Sequence, residues 1–176
     1  MFTNPQKNAE SFQLMPGMYV ADFGAGSGFY VFTCSPMVGE NGKIYAVDIQ
    51  KDVLSTISNE ADKKNLHNVE VIWGDLEKVG GSRLSDNSLD FVIASNILFQ
   101  VEAKESFVNE VKRVLKPGKG RVAVIDWRDS FGGLGPENKA IVSKDICKNL
   151  FLNSGFDLDR EVSDSGAHHY GLIFRR

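Results

Sequence analysis

The chain is poor in the residues that secreted, metal-binding or membrane-spanning proteins rely on. Its 176 residues include only two cysteines and three histidines. Cys34 and Cys147 stand far apart, with no CxxC pair and no accompanying histidine spacing. Neither a disulfide framework nor a metal site is therefore predicted. They read as two reduced thiols; a reactive thiol is the other reading, and nothing local supports it. No apolar run approaches the ~20 residues needed to span a bilayer. The opening Met1-Phe2-Thr3-Asn4-Pro5-Gln6-Lys7 lacks the basic-then-apolar order of a secretory signal. Excess positive charge is missing too: the net charge is −3 and the pI near 5.6, which argues against a DNA or RNA partner. These absences predict a cytoplasmic protein without membrane insertion.

What is present is an ordinary globular composition, 42% hydrophobic and 24% charged, and a length that suits one domain over residues 1–176. Short runs rich in Val, Ile and Phe alternate with stretches of helical periodicity. Strands are predicted over Met18–Phe23, Lys43–Asp48, Val69–Trp73, Leu89–Ser95 and Gly120–Trp127. Their apolar runs are continuous rather than alternating, which suits strands covered on both faces. Helices are predicted over Asp52–Lys64, over Ala103–Leu115 before Pro117-Gly118, and from a Ser143 cap to just before Gly155. This rhythm means a parallel sheet with helices on both faces. Two last strands, Phe156–Val162 and His169–Arg175, are joined by a link too short for a crossover helix, so they must be antiparallel.

Chemistry concentrates in Asp22-Phe23-Gly24-Ala25-Gly26-Ser27-Gly28, where an apolar strand enters a loop with glycine at every second position. Glycine lets the backbone approach a ligand closely, and a helix starting just beyond would aim free N–H groups at an anion. The second strand ends at Asp48, twenty residues past Gly28, where a Rossmann-like site places the acid that holds ribose hydroxyls. A nucleoside-containing cofactor is predicted. The glycine loop alone also suits flavin and nicotinamide enzymes, although Phe29 occupies the third-glycine position of their pattern. Taken alone, Asp48 has a second, weaker reading as a cap for a helix around Asp52, and Asp75 one as a turn residue.

Groups that would serve a reaction lie where loops leave the strand ends. Asp126 and Trp127 end the fifth strand, and His168 and His169 open the last. Successive strand residues point to opposite faces, so only one of the histidines can face a cleft; paired histidines at a hairpin mouth are also commonly just solvated. The segment 128–136 carries three glycines with Phe131 and Leu134, and reads either as a lid over an apolar substrate or as a plain connector. Phe29, Tyr30, Phe32, Leu98 and Phe99 read as pocket lining or as core.

With these motifs in place, the chain resembles the class I S-adenosylmethionine-dependent methyltransferases over nearly its full length. It is most similar to the small branch related to ubiquinone and menaquinone biosynthesis. The resemblance implies a Rossmann-like three-layer αβα sandwich whose seven-stranded, mostly parallel sheet has order 3-2-1-4-5-7-6, strand 7 antiparallel. It implies that Asp22, Gly24, Ala25, Gly26 and Gly28 lie along the methionine part of S-adenosyl-L-methionine. Asp48, with Ile49 beside it, would hold the ribose; Gly74, Asp75 and Leu76 would read adenine; Asn96 and Ile97 would flank cofactor and substrate. Leu115-Lys116-Pro117-Gly118 precedes the fifth strand as in these enzymes. The family has no universal base, so Asp126, His168 and His169 stand only as catalytic candidates.

Departures from the family also inform. About fifteen residues precede the first strand, fewer than in relatives with covering N-terminal helices, which suits an open site or one closed by a second subunit. Ser95-Asn96-Ile97-Leu98 is not the Pro-Pro-Tyr type used on planar nitrogens, and two isolated cysteines cannot supply the set used by arsenite methyltransferases. The expectation is methyl transfer by direct displacement to a small molecule, leaving S-adenosyl-L-homocysteine, with a homodimer possible. The alternatives are a non-catalytic cofactor-binding module that supports a partner subunit and, more weakly, a nicotinamide oxidoreductase.

Overall fold

In the computed structural model, which describes residues 4–131, 135–163 and 165–176, one seven-stranded sheet runs through the molecule. Its strands are β1 (Tyr19–Phe23), β2 (Lys43–Asp48), β3 (Val69–Trp73), β4 (Phe91–Ser95), β5 (Arg121–Trp127), β6 (Asp157–Glu161) and β7 (His169–Arg175). The order is β3-β2-β1-β4-β5-β7-β6. β7 runs antiparallel to both β5 and β6, and the other neighbours are parallel. The order reverses between β1 and β4, and open α/β sheets place ligands beyond the strand ends at such a reversal.

Five helices cover the sheet: α1 (Pro5–Phe12), α2 (Phe29–Val38), α3 (Lys51–Lys63), α4 (Lys104–Val114) and α5 (Lys144–Asn153). None is long and apolar enough to cross a membrane among the described residues. Alternate strand residues divide the interior into two cores. Ala21, Phe23, Val92, Ala94, Val122 and Val124 pack with Phe107, Val111 and Phe151 of α4 and α5. Val20, Ile44, Ala46, Phe91, Ile93 and Ala123 face the other way, against Phe12 of α1, Val31 and Cys34 of α2 and Ile57 of α3.

The predicted elements recur with ends shifted by one or two residues. Ser143 caps α5 as expected, its hydroxyl accepting from the N–H of Ile146. Leu89 falls outside β4 and makes only a bridge to Leu115. β3 differs from the doubly covered strand predicted, because it is a sheet edge with Trp73 exposed.

Two helices lie where none was delimited in advance. α1 starts at Pro5, whose fixed φ suits the first helical position, and Asn4 accepts the Lys7 N–H to cap it. It buries Asn8, Ala9 and Phe12. α2 carries apolar side chains all round and Pro36 near its end, so it shows no amphipathic period to read.

Candidate functional site

The glycine loop makes its turn with three left-handed residues, Gly24, Gly26 and Gly28, at φ of 76°, 50° and 76°. The N–H groups of Gly24 and Ala25 both donate to the Val47 carbonyl, at 2.8 and 3.2 Å, and pin the loop against the end of β2. A Cβ on Gly24 would come within 2.6 Å of Ile97 Cδ1. A Cβ on Gly26 would meet only the Gly24 carbonyl, at 3.9 Å, and would stand in open space. Gly28 is the N-cap of α2, so the unpaired first-turn N–H groups of that helix face the loop.

Asp48 joins these parts. Its Oδ2 accepts the Gly26 N–H at 3.1 Å and its Oδ1 the Gln50 N–H at 2.9 Å. Gln50 is the N-cap of α3, so the carboxylate does brace a helix start. Each oxygen still has a second lone pair free to accept. Asp75 is likewise a turn residue, accepting the Glu77 N–H at 3.1 Å and pairing with Lys78 at 2.7 Å. The Lys78 ammonium and the Glu77 N–H hold its carboxyl below the ordinary carboxylate range.

Two adjoining cavities open over this framework. One, of about 260 Å³, is lined by Gly24, Gly26, Asp48, Ile49, Gly74, Asp75, Leu76 and Ile97, with Gln50, Glu77, Gln100 and Val101. The other, of about 200 Å³, is lined by Asp22, Gly24, Ala25, Gly26 and Asn96, with Pro5, Ser27, Phe29, Tyr30, Ser95 and Gln100. Eleven of the twelve residues singled out for a cofactor line one or both. The exception, Gly28, sits behind the loop, where a Cβ would meet the Phe32 ring at 2.9 Å and Ile57 at 3.1 Å. Gln50, Glu77 and Gln100 went unrecognised because polar residues in the loops beyond the strand ends carry no periodic signal. Pro5 went unrecognised with its helix.

The catalytic candidates line neither cavity. Asp126 is 1% exposed and ties β5 to the chain after β4, accepting the Leu98 N–H at 2.9 Å and its neighbour's Trp127 N–H at 2.8 Å. Burial raises its pKa to about 6, against the pull of N–H groups from Trp127, Leu98 and Ile97. His168 lies 2.5 Å from Asp129 and stacks on Phe131. The lid reading of 128–136 depends on residues 132–134, which lie outside the described residues, as does Asp164 of the hairpin link. His169 is buried, and its Nε2 lies 3.0 Å from Asn96 Oδ1. It reaches the second cavity only through Asn96.

Of the carboxyl groups in the cavities, Asp22 holds its proton unusually tightly. Asp22 is 2% exposed; burial, and then the charge of Asp48, raise its pKa to about 7. A cationic group placed beside it would restore its ionised form.

Residues 14–164 match a family described as a methyltransferase domain. A solved S-adenosylmethionine-dependent methyltransferase from Aquifex aeolicus superposes with a TM-score of 0.87, at 32% identity, covering 98% of this chain and 89% of that one. The chain belongs to the class I S-adenosylmethionine-dependent methyltransferases. Arsenite methyltransferase from Halobacterium salinarum is 32% identical over 120 residues, 68% of this chain. The chain spans 30% of that relative's length. Demethylmenaquinone methyltransferase from Listeria welshimeri is 25% identical over 193 residues, covering 91% of this chain and 80% of the relative.

The donor set fits S-adenosylmethionine. That molecule carries a ribose diol, an adenine amine, an ammonium and a carboxylate. The first cavity offers the carboxylates of Asp48 and Asp75 beside apolar Ile49, Leu76 and Ile97. The second offers the buried carboxyl of Asp22 near the α2 N-terminus, a pairing suited to an ammonium and a carboxylate together.

Proposed function

We propose that this protein transfers a methyl group from S-adenosylmethionine to a small organic acceptor. The observation that carries the reading is the convergence of eleven sequence-selected residues on two joined cavities at the β1/β4 reversal. In this reading Asp48 accepts from the ribose diol, and Asp75 from the adenine amine while the Leu76 N–H donates to the ring. Asp22 faces the ammonium, and Gly24, Ala25 and Gly26 form the cradle along which the methionine part lies. S-adenosylmethionine supplies a methyl on a cationic sulfur, which takes back the C–S electron pair as S-adenosylhomocysteine forms. The protein therefore has to position the acceptor and exclude water; the methyl needs no activation.

The acceptor is bound next to Tyr30, Ser95 and Asn96 in the second cavity, with exposed Phe29 at its rim. Tyr30 accepts from Asn8 Nδ2 at 2.9 Å, and burial raises its pKa to about 12, so it stays a neutral phenol. Asp126, His168 and His169 lie outside the cavities, and a proton to be lost in the reaction leaves before binding or goes to solvent. Relatives are named for arsenite and for demethylmenaquinone. Cys34 and Cys147 are buried in the two cores on opposite sides of the sheet and cannot jointly hold a soft metalloid at the cleft, which favours an organic acceptor. Solution as a monomer or a homodimer is equally compatible with this site.

Calorimetric titration with S-adenosylmethionine, S-adenosylhomocysteine and NADH tests the reading. The first two should bind, and Asp48→Ala should weaken them by about tenfold or more, roughly 1.4 kcal/mol. Binding of NADH alone would move the chain to the oxidoreductases, and no binding at all would favour a module that supports a partner subunit.

A further inference from the structure

Asn96 lines the second cavity from an unusual backbone position. Its φ is 54°, the left-handed region that asparagine tolerates better than most residues. Its main chain is held at both ends: the N–H donates to the Ile125 carbonyl at 2.8 Å, and the carbonyl accepts from Gln100 Nε2 at 2.8 Å. The side chain is held by its Oδ1, 3.0 Å from His169 Nε2.

His169 determines which way that amide points. It is 4% exposed, its ring lies against Trp127 at 4.3 Å, and its Nδ1 has no hydrogen-bond partner among the described residues. Burial, and then the charge of His168, lower its pKa to about 4, so the imidazole is neutral and carries a single N–H. On Nε2 that proton is satisfied by Asn96 Oδ1; on Nδ1 it would be a buried donor with no partner, which is the costlier arrangement. The Nε2–H tautomer therefore prevails and consumes the amide oxygen. The amide nitrogen is the branch that remains, and no partner for it is found among the described residues.

We propose that Asn96 Nδ2 is the hydrogen-bond donor for an oxygen of the methyl acceptor, with His169 as the positioning residue that keeps the amide from flipping. The ligand class is a phenolate or enolate. An amide donor on a residue that lines this cavity favours an oxygen carrying charge over a neutral amine, which would bring donors to a donor. Ionised on arrival, such an acceptor needs no proton taken by Asp126, His168 or His169, which line neither cavity. This inference rests on the methyl-transfer reading for its biological meaning, and on the Asn96–His169 geometry for its test.

The probe is 4-nitrophenol at neutral pH with saturating S-adenosylhomocysteine, because its visible absorbance reports the ionised form. 4-Nitroaniline, of the same shape with an amine in place of the oxygen, is the comparison. The wild type should bind the phenolate about tenfold more tightly than the aniline and raise the ionised fraction of bound probe. Asn96→Asp keeps the shape and the left-handed backbone but replaces the donor by a carboxylate, and should abolish the preference. His169→Phe should reduce it, and His169→Gln, which still offers an N–H, should restore much of it. In each variant the loss for phenolate should exceed any loss for S-adenosylhomocysteine. An equal affinity for both probes in the wild type, binding of neither, or a preference surviving Asn96→Asp would overturn the proposal. Failure of S-adenosylhomocysteine to bind would instead sink the methyl-transfer reading, and the probe comparison is then scored by the same criteria on the unliganded protein.

Discussion

In the proposed site, Asp22 would serve binding at the expense of stability. In the free protein burial and Asp48 raise its pKa to about 7, whereas an unfolded aspartate titrates near 4. Between those values the folded state binds the extra proton, so stability is present at low pH and declines as pH rises through the folded pKa. Keeping this carboxyl ionised in the folded chain costs roughly 2–4 kcal/mol at alkaline pH. Asp22→Asn should therefore raise stability by about 1–3 kcal/mol near pH 8 and leave it little changed near pH 4, measured by chemical denaturation. The same substitution should weaken S-adenosylmethionine, because the ammonium loses its counter-charge. Greater stability without weaker binding would remove Asp22 from the cofactor site while leaving the electrostatic account intact.

Among the elements, the segment after β3 depends most on a single remote side chain. Glu110 of α4 is fully buried and accepts the Gly80 N–H at 2.5 Å, the Ser82 N–H at 3.0 Å and the Ser82 hydroxyl at 2.5 Å. Burial opposes its ionisation, but Arg113 together with these donors outweighs that and holds the pKa at about 2. Glu77, in the same segment, accepts the N–H groups of Glu102 and Ala103 at the start of α4. Helix and segment thus hold each other, and Asp75 and Leu76 ride on the result. Glu110→Ala leaves three donors without an acceptor and takes from Arg113 its buried partner, leaving it the exposed Asp86, and should lower stability by roughly 3 kcal/mol or more. Hydrogen exchange should rise first over residues 74–82, and S-adenosylhomocysteine affinity should fall with it; uniform exchange across the sheet would count against this linkage. None of it was legible in the sequence, since Glu110 looks like any solvated helix glutamate. The legible parts have local signatures: the glycine loop, the strand-ending Asp48, the amphipathic α3 and α4, and the Ser143 cap. α2 was hidden by its uniform apolarity, and the exposure of β3 by the fact that edge position belongs to the whole sheet.

At the scale of the molecule, the buried ionisable groups set opposing demands whose sum is a stability profile. Asp22 at about 7 and Asp126 at about 6 both bind protons more readily folded than unfolded, and so favour the fold as pH falls towards 4. His169 at about 4 opposes them: unfolded histidine titrates near 6.5, so its contribution is lost as pH drops through that interval. Glu110 at about 2 contributes above the unfolded glutamate value and loses that contribution below it. As pH falls from 7 to about 5, two groups favour acid and one opposes, and the net uptake on folding grows from a fraction of a proton to about one. Below about pH 4.5 the unfolded chain takes up protons at Glu110 and at the other paired carboxylates, and the balance reverses. The ligand-free protein should therefore be most resistant to heat near pH 5, on the acid side of neutrality. Saturating S-adenosylhomocysteine should shift that optimum upward, because its ammonium favours ionised Asp22 and binding to the folded state adds stability by mass action. Thermal scans across pH, with and without ligand and repeated on Asp22→Asn, measure both effects. An optimum that ligand does not move would mean that the ammonium does not meet Asp22, and would reassign the second cavity to the acceptor alone.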